Sequence, residues 1–253
     1  VSRTRAPRVP LERALSKLGL ASRTEARRLI EAGRVKVHGK PQLDPLYPVT
    51  PETAAIVIDG KRTSTQELLV IVLHKTRGTV TTRRDEKGRK TVFDGLPEKY
   101  RSIPGLHAVG RLDQATTGLL LLTNDTRLSS WLTDPANELP RTYAVTVRGA
   151  VSEAGRLGLE AGLKSEVGFL SAKRATIRKS SGRESHLEIE LLEGRNREIR
   201  RLCSHIGHEV TALRRIRFGA IVLGSLEPGE LREVTLEELD EAFPERPRST
   251  TLK

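Results

Sequence analysis

The run Leu119-Leu120-Leu121-Leu122 constrains the fold more than any other feature of this chain. Gly118 precedes it and Thr123-Asn124-Asp125 follows it. A short apolar stretch with no polar alternation reads as a central strand, buried on both faces. Residues 68–73, Leu-Leu-Val-Ile-Val-Leu, form a second run of this kind and open a domain predicted to span 67–243. Strands are predicted at 70–73, 119–122, 143–147 and 187–191, with helices after Asp125 and after Asn196. The order of these signals predicts an α+β domain with a mixed, mainly antiparallel sheet.

A smaller module precedes it. Leu11, Leu15 and Leu18 recur at helical spacing, and Gly19 closes the run. Ser22-Arg23-Thr24-Glu25 reads as a capping box that starts a second helix with Ala26, Leu29 and Ile30 on its apolar face. Gly33 stops that helix, and Val35 and Val37 alternate as a strand turned by His38-Gly39. Residues 9–58 thus predict a small α/β unit, 59–66 a polar connection and 244–253 a flexible tail.

Charge separates the two parts. The formal net charge is +12, which predicts attraction to a polyanion. Residues 1–40 hold 11 Lys and Arg against Glu12, Glu25 and Glu31, and residues 194–217 hold seven Arg against Glu198 and Glu209. Arg23 and Arg27 lie one helical turn apart, with Arg34 and Lys36 beyond them, an arrangement suited to phosphate contacts. An ordinary solvated helix face has the same spacing, so the pattern alone leaves both readings open. One cysteine excludes an internal disulfide framework, and no Cys/His set has zinc spacing. No apolar run approaches the length of a membrane span, and the basic first ten residues lack a signal-peptide core. A cytoplasmic location is the expectation.

No phosphate-binding loop, dinucleotide fingerprint or serine-hydrolase elbow is present in the sequence. What stands out instead is a carboxylate, Asp113, in the loop between Gly110 and Gly118, just before the central strand. An acid there sits at the rim of a buried sheet, where its surroundings can be controlled. A loop Asp also commonly does no more than cap its own turn.

The stretch Leu18-Gly19-Leu20-Ala21-Ser22-Arg23-Thr24-Glu25-Ala26, followed by Gly33-Arg34-Val35-x-Val37-x-Gly39, resembles the S4-type RNA-binding domain. The string Gly110-Arg111-Leu112-Asp113-Gln114-Ala115-Thr116-Thr117-Gly118 resembles the signature of ribosomal RNA pseudouridine synthases that carry such a domain in front. Three further motifs follow the same family in order. Leu73-His74-Lys75-Thr76-Arg77-Gly78 is similar to the opening strand and turn, with Thr76 where proline is commoner. Arg141-Thr142-Tyr143 is similar to a Lys-x-Tyr strand, and Glu193-Gly194-Arg195-Asn196-Arg197-Glu198-Ile199-Arg200-Arg201 to the third motif, with Glu198 where glutamine is usual. Residues 223–232 resemble the closing segment.

This resemblance implies a pseudouridine synthase acting on ribosomal RNA, a monomer that needs no cofactor or metal. It implies that Asp113 is the catalytic carboxylate and that Tyr143 stacks on the target uracil. It further implies that Arg111 fills the space the uridine vacates and that Arg200 pairs with Asp113. On the residues themselves, Tyr143 equally suits core packing. At about 100° per residue, Arg200 borders the apolar stripe Ile199, Leu202, Cys203 and Ile206, while Arg197 and Arg201 point away. Arg23, Arg27, Arg28, Arg34 and Lys36 are expected to bind RNA from the front module. Arg111, Arg195, Arg197, Arg201, Arg214, Arg215 and Arg217 are expected to bind it from the large domain. Cys203 reads as core, and His205 and His208 lack the companions a metal needs. The rival expectations are a non-catalytic RNA-binding or ribosome-assembly factor, and the same reaction on transfer RNA.

Overall fold

The computed structural model describes residues 8–247 apart from Gly19, Ser22, Glu52, 63–66 and Arg84. The Gly19 stop and the Ser22 cap therefore lie outside the described residues. The front module runs β1 (Val9–Pro10), α1 (Leu11–Lys17), α2 (Arg23–Glu31), β2 (Val35–Val37), β3 (Lys40–Pro41), β4 (Pro48–Val49), β5 (Ile56–Ile58) and β6 (Lys61–Arg62). Leu11, Leu15, Ala26, Ile30, Val35, Val37 and Ile56 form its core, on the faces that the sequence periodicity assigns. Its four-stranded sheet has the order β3-β2-β5-β6. The turn at Asp59-Gly60 has positive φ at both residues (51° and 76°), the geometry of a two-residue hairpin. That hairpin carries the small sheet to Arg62, so the first half of the expected 59–66 connection is a turn and a short strand.

The large domain comprises β7 (Val70–Lys75), α3 (Glu98–Arg101), β8 (His107–Ala108), β9 (Thr117–Thr123), α4 (Thr126–Thr133), β10 (Arg141–Arg148), α5 (Glu153–Ala161), β11 (Leu163–Ser165), β12 (Gly168–Leu170), β13 (Arg174–Ser180), β14 (Glu184–Leu191), α6 (Glu198–His205), β15 (Val210–Phe218), β16 (Ile221–Val222), β17 (Leu231–Glu233) and α7 (Leu236–Ala242). Its sheet has the order β13-β14-β10-β15-β9-β7-β17, with β16 on β15 and β8 on β9. Every pairing is antiparallel except β15 with β9. The mixed, mainly antiparallel α+β domain expected from the sequence is what the chain forms.

The apolar runs are central because side chains alternate across a strand. Ile71, Leu73, Leu120 and Leu122 pack with α5 and α6 residues such as Leu159, Ile199 and Leu202. Val70, Val72, Leu119 and Leu121 face the opposite layer, against Leu128 and Leu132 of α4 and Leu239 of α7. Asp125 starts α4, its carboxylate accepting from the amides of Arg127 (2.7 Å) and Leu128 (3.1 Å). Helix α1 of the front module rests on α4, where the Thr126 hydroxyl donates to the Ser16 carbonyl at 3.0 Å.

Gly118 fixes the one parallel junction. Its φ is +97°, and a Cβ there would stand 2.2 Å from the Arg215 carbonyl oxygen. The residue closing the Asp113 loop therefore has to lack a side chain for β9 to meet β15. At the other end of the domain, ordered chain extends past 243. Arg246 is buried and pairs with Asp240 at 2.8 Å, so the expected tail is anchored at this residue, while Pro244 and Glu245 before it are exposed.

Candidate active site

The loop bearing Asp113 is held from both sides. Thr81 and Leu112 exchange hydrogen bonds (2.9 and 3.2 Å), and Gly78 and Gln114 do the same (2.8 and 3.0 Å). The third tie comes from below. Lys75, the last residue of β7, is 1% exposed, and its ammonium donates to the carbonyls of Thr116 (2.8 Å) and Thr76 (3.1 Å). Burial pulls Lys75 down to about 8, and the nearby Asp113 charge opposes that fall.

Asp113 itself is 40% exposed and faces a cleft of about 390 Å3. Tyr143, Arg111, Arg195, Arg197 and Arg215 line the same cleft. Tyr143 is buried on β10, between Ile189 of β14 and Arg215 of β15. A bulge in the β10–β15 pairing between Thr142 and Tyr143 re-aims the strand at this point.

The cation that meets Asp113 is Arg197, with Nη1 4.0 Å from Oδ2. Arg200, expected there, instead donates from Nη1 to the Val210 carbonyl at 3.0 Å, and its buried Nε has no partner. The pairing with Arg200 came from the family resemblance; Arg197 takes its place because it lies outside the helix. It is the residue before α6, with φ +53°, and that left-handed turn swings its side chain over the cleft. Arg200 is partly buried. Burial lowers the affinity of its guanidinium for the proton, Arg197 adds to that effect, and Asp113 opposes it.

Three expected phosphate contacts are committed elsewhere. Arg215 is 3% exposed, donates to the Leu119 carbonyl at 2.7 Å and lies over the Phe218 ring. It belongs to the cleft wall, because the parallel junction covers it. Arg195 pairs with Glu193 and donates to the Val167 carbonyl at 2.7 Å. Arg201 pairs with Glu166 at 2.7 Å. In contrast Arg111, Arg214 and Arg217 are exposed, as are Arg23, Arg27, Arg28, Arg34 and Lys36. Arg27 shares its charge with Glu12 (2.9 Å) and Arg34 with Asp59 (2.5 Å).

Sequence reasoning gave no role to three buried charges at the site: Lys75, Arg141 and Glu198. Arg141 donates to the carbonyls of Leu139 (3.0 Å), Leu192 (2.7 Å) and Leu132 (3.2 Å), and also lies over the Phe218 ring, 4.9 Å from its centre. Glu198 accepts the Arg195 amide at 3.0 Å, and burial raises its proton affinity. Each sits in a motif noted above, but a sequence does not say which charges a sheet will cover. Among the described residues no group of three or more His, Cys, Asp or Glu is placed to hold a metal, and no helix is long and apolar enough to cross a membrane.

A loop carboxylate in a cleft lined with arginines, in a chain that also carries a basic helical module, fits an enzyme that acts on a nucleic acid strand. The profile of the RNA pseudouridylate synthase family matches residues 69–205, and that of the S4 domain matches residues 9–54. An uncharacterized RNA pseudouridine synthase of Mycobacterium tuberculosis is 36% identical over 95% of each chain. Ribosomal large subunit pseudouridine synthase B of Bacillus subtilis is 34% identical over 90% of this chain and 93% of its own. The protein of that name from Shigella flexneri is 41% identical over 84% and 74%. A crystal structure of a pseudouridylate synthase superposes with a TM-score of 0.65 at 28% identity, covering 92% of this chain and 99% of the other. The chain belongs to the RNA pseudouridylate synthase family, and its chemistry is that of an isomerase.

Proposed function

We propose that this enzyme converts a uridine of large-subunit ribosomal RNA to pseudouridine, with Asp113 as its catalytic carboxylate. The observation that carries the reading is the setting of Asp113: a rigidly tied loop, an open cleft and a cation 4.0 Å away. The substrate class follows the relatives that are named as ribosomal large subunit enzymes.

The reaction breaks the bond from uracil N1 to ribose C1′, turns the base and joins its C5 to the same C1′. The C5 proton is lost and N1 gains one, so no electrons enter or leave and no redox group is required. An ionised Asp113 beside the sugar can attack C1′ or remove the neighbouring C2′ proton. A target uridine has to leave its stack to reach a carboxylate inside a cleft. Tyr143 supplies an aromatic wall for the uracil, and the exposed Arg111 is placed to occupy the vacated space. Arg197, 4.0 Å away, sets a positive charge beside Asp113, and the partly buried Arg200 adds to the positive field there. With both partners about half exposed, the Arg197 pair adds only ~0–1 kcal/mol to stability, so its value lies in the chemistry. The exposed cations of α2 and β2, with Arg214 and Arg217, grip phosphates.

Single-turnover pseudouridine formation on a large-subunit ribosomal RNA transcript tests this. Asp113→Asn should make no product while binding the RNA within severalfold of wild type. Product formation by that variant would sink the assignment. Wild-type product in transfer RNA alone would move the substrate, and none in any RNA would leave a binding factor.

A further inference from the structure

We propose that a recess beside the catalytic cleft is a second nucleobase site, where a base flanking the target uridine in the same RNA strand stacks on Phe169. The proposal rests on the functional reading above, because it supposes a strand of RNA in the cleft. It adds a subsite that recognises the neighbourhood of the target.

Phe169 is the observation that calls for an occupant. It is 58% exposed, whereas Phe93, Phe218, Phe243, Tyr100 and Tyr143 are all buried to 7% exposure or less. The ring is displayed on the β11–β12 hairpin, directly opposite Lys164. The hairpin is strapped down. Arg195 donates to the Val167 carbonyl (2.7 Å), Arg201 pairs with Glu166 (2.7 Å), and the Ser165 hydroxyl donates to the Gly168 carbonyl (2.8 Å). One edge of the ring lies over Gly162, where a Cβ would come within 3.0 Å of it. The aromatic surface is thus fixed before any ligand arrives, which lowers the entropic cost of stacking.

The recess is continuous with the cleft. Pro135, Glu193 and Glu198 line both, while Phe169, Glu138 and Lys173 belong to the recess. Its carboxylates repel phosphate and accept hydrogen bonds from the amino or ring N–H edge of a base. Lys164 and Lys173, both exposed, flank the ring and suit the adjoining backbone phosphates. When the uridine is extruded, its neighbour loses a stacking partner, and Phe169 offers a replacement. The straps come from the same segment that sends Arg197 to Asp113, so the subsite and the carboxylate are held in one register.

The test uses the full chain and a large-subunit ribosomal RNA fragment carrying 2-aminopurine at each position beside the target uridine. The wild type should change the fluorescence at one flanking position. Phe169→Ala should abolish that change and weaken binding roughly 5- to 150-fold, the range found for one base–aromatic stack. Turnover at saturating RNA should stay within severalfold, and Phe169→Trp should restore both signal and affinity. Phe169 is exposed, so the fold should survive either change. Phe169→Ala binding within twofold of wild type, with an unaltered fluorescence change, overturns the subsite. Product formation by the wild type on the same RNA judges the functional reading separately, and the fluorescence arms decide the subsite whatever that result.

Discussion

Replacing Lys75 by methionine should remove a pH dependence of stability that the wild type carries. Lys75 is 1% exposed and titrates near 8 instead of its ordinary 10.5 because burial disfavours its charge. Below about pH 8 both folded and unfolded chains hold this proton, and the folded chain bears the full cost of burying it. Between about 8 and 10.5 the unfolded chain still binds the proton while the folded chain has released it, so stability rises with pH. A depression of this size costs about 3 kcal/mol at neutral pH, and about 2 kcal/mol of that should be recovered between about pH 7 and about pH 9.5. The methionine variant loses the charge penalty but also the bonds to the Thr116 and Thr76 carbonyls. Losing charged hydrogen bonds costs about 1.5–3 kcal/mol each, so stability near pH 7 should change little or fall modestly. Turnover should fall about tenfold or more, because Thr116 lies three residues from Asp113 and its anchor is gone. Urea denaturation at the two pH values, for both proteins, isolates the lysine. Parallel pH dependences would refute the argument, whatever the absolute stabilities.

Arg197→Met should reduce turnover about tenfold or more with little change in melting temperature, because its side chain is 55% exposed and contacts Asp113 directly. Arg200→Met should have the smaller kinetic effect of the two, and a larger effect from Arg200 in single-turnover assays would refute the contact geometry. Arg23→Glu together with Arg28→Glu should weaken RNA binding and flatten its dependence on salt, as expected for lost phosphate contacts. Turnover at saturating RNA should hold; a proportional loss of turnover would mean that the front module shapes the catalytic cleft.

Much of the architecture was legible because it rests on local signals. Unbroken apolar runs placed β7 and β9 inside the sheet, covered on both faces, and the stripe of Ile199, Leu202 and Cys203 placed α6 on it. What escaped were properties created by long-range contact. Strand β15 reads Val-Thr-Ala-Leu-Arg-Arg-Ile-Arg-Phe, and its arginines point to a solvated surface. Its parallel junction with β9 buries Arg215 while leaving Arg214 and Arg217 exposed. Likewise the periodicity of α6 correctly set its apolar face but said nothing reliable about Arg197, whose left-handed backbone breaks the period one residue too early. The hairpin carrying Phe169 had no strong signal of its own. It is short, and arginines far away in sequence hold it in place.

The arginines therefore fall into two kinds that a charge count merges. Those of α2, with Arg34, are solvated, and their attraction for RNA comes from displaced counterions and is screened within about 10 Å at moderate salt. Around the cleft Arg141, Arg200 and Arg215 are partly or wholly covered, and some of their atoms are left short of partners: Arg200 Nε and Arg215 Nη2 are buried without an acceptor. Each such group costs about 1–3 kcal/mol in the folded chain. A protein selected for stability alone would replace them with apolar side chains, which are cheaper to bury. Kept where they are, they hold a positive potential near Asp113 before the RNA arrives, in surroundings that salt screens poorly. Attachment and chemistry in this enzyme thus draw on the same residue type in opposite environments, and burial is what separates them.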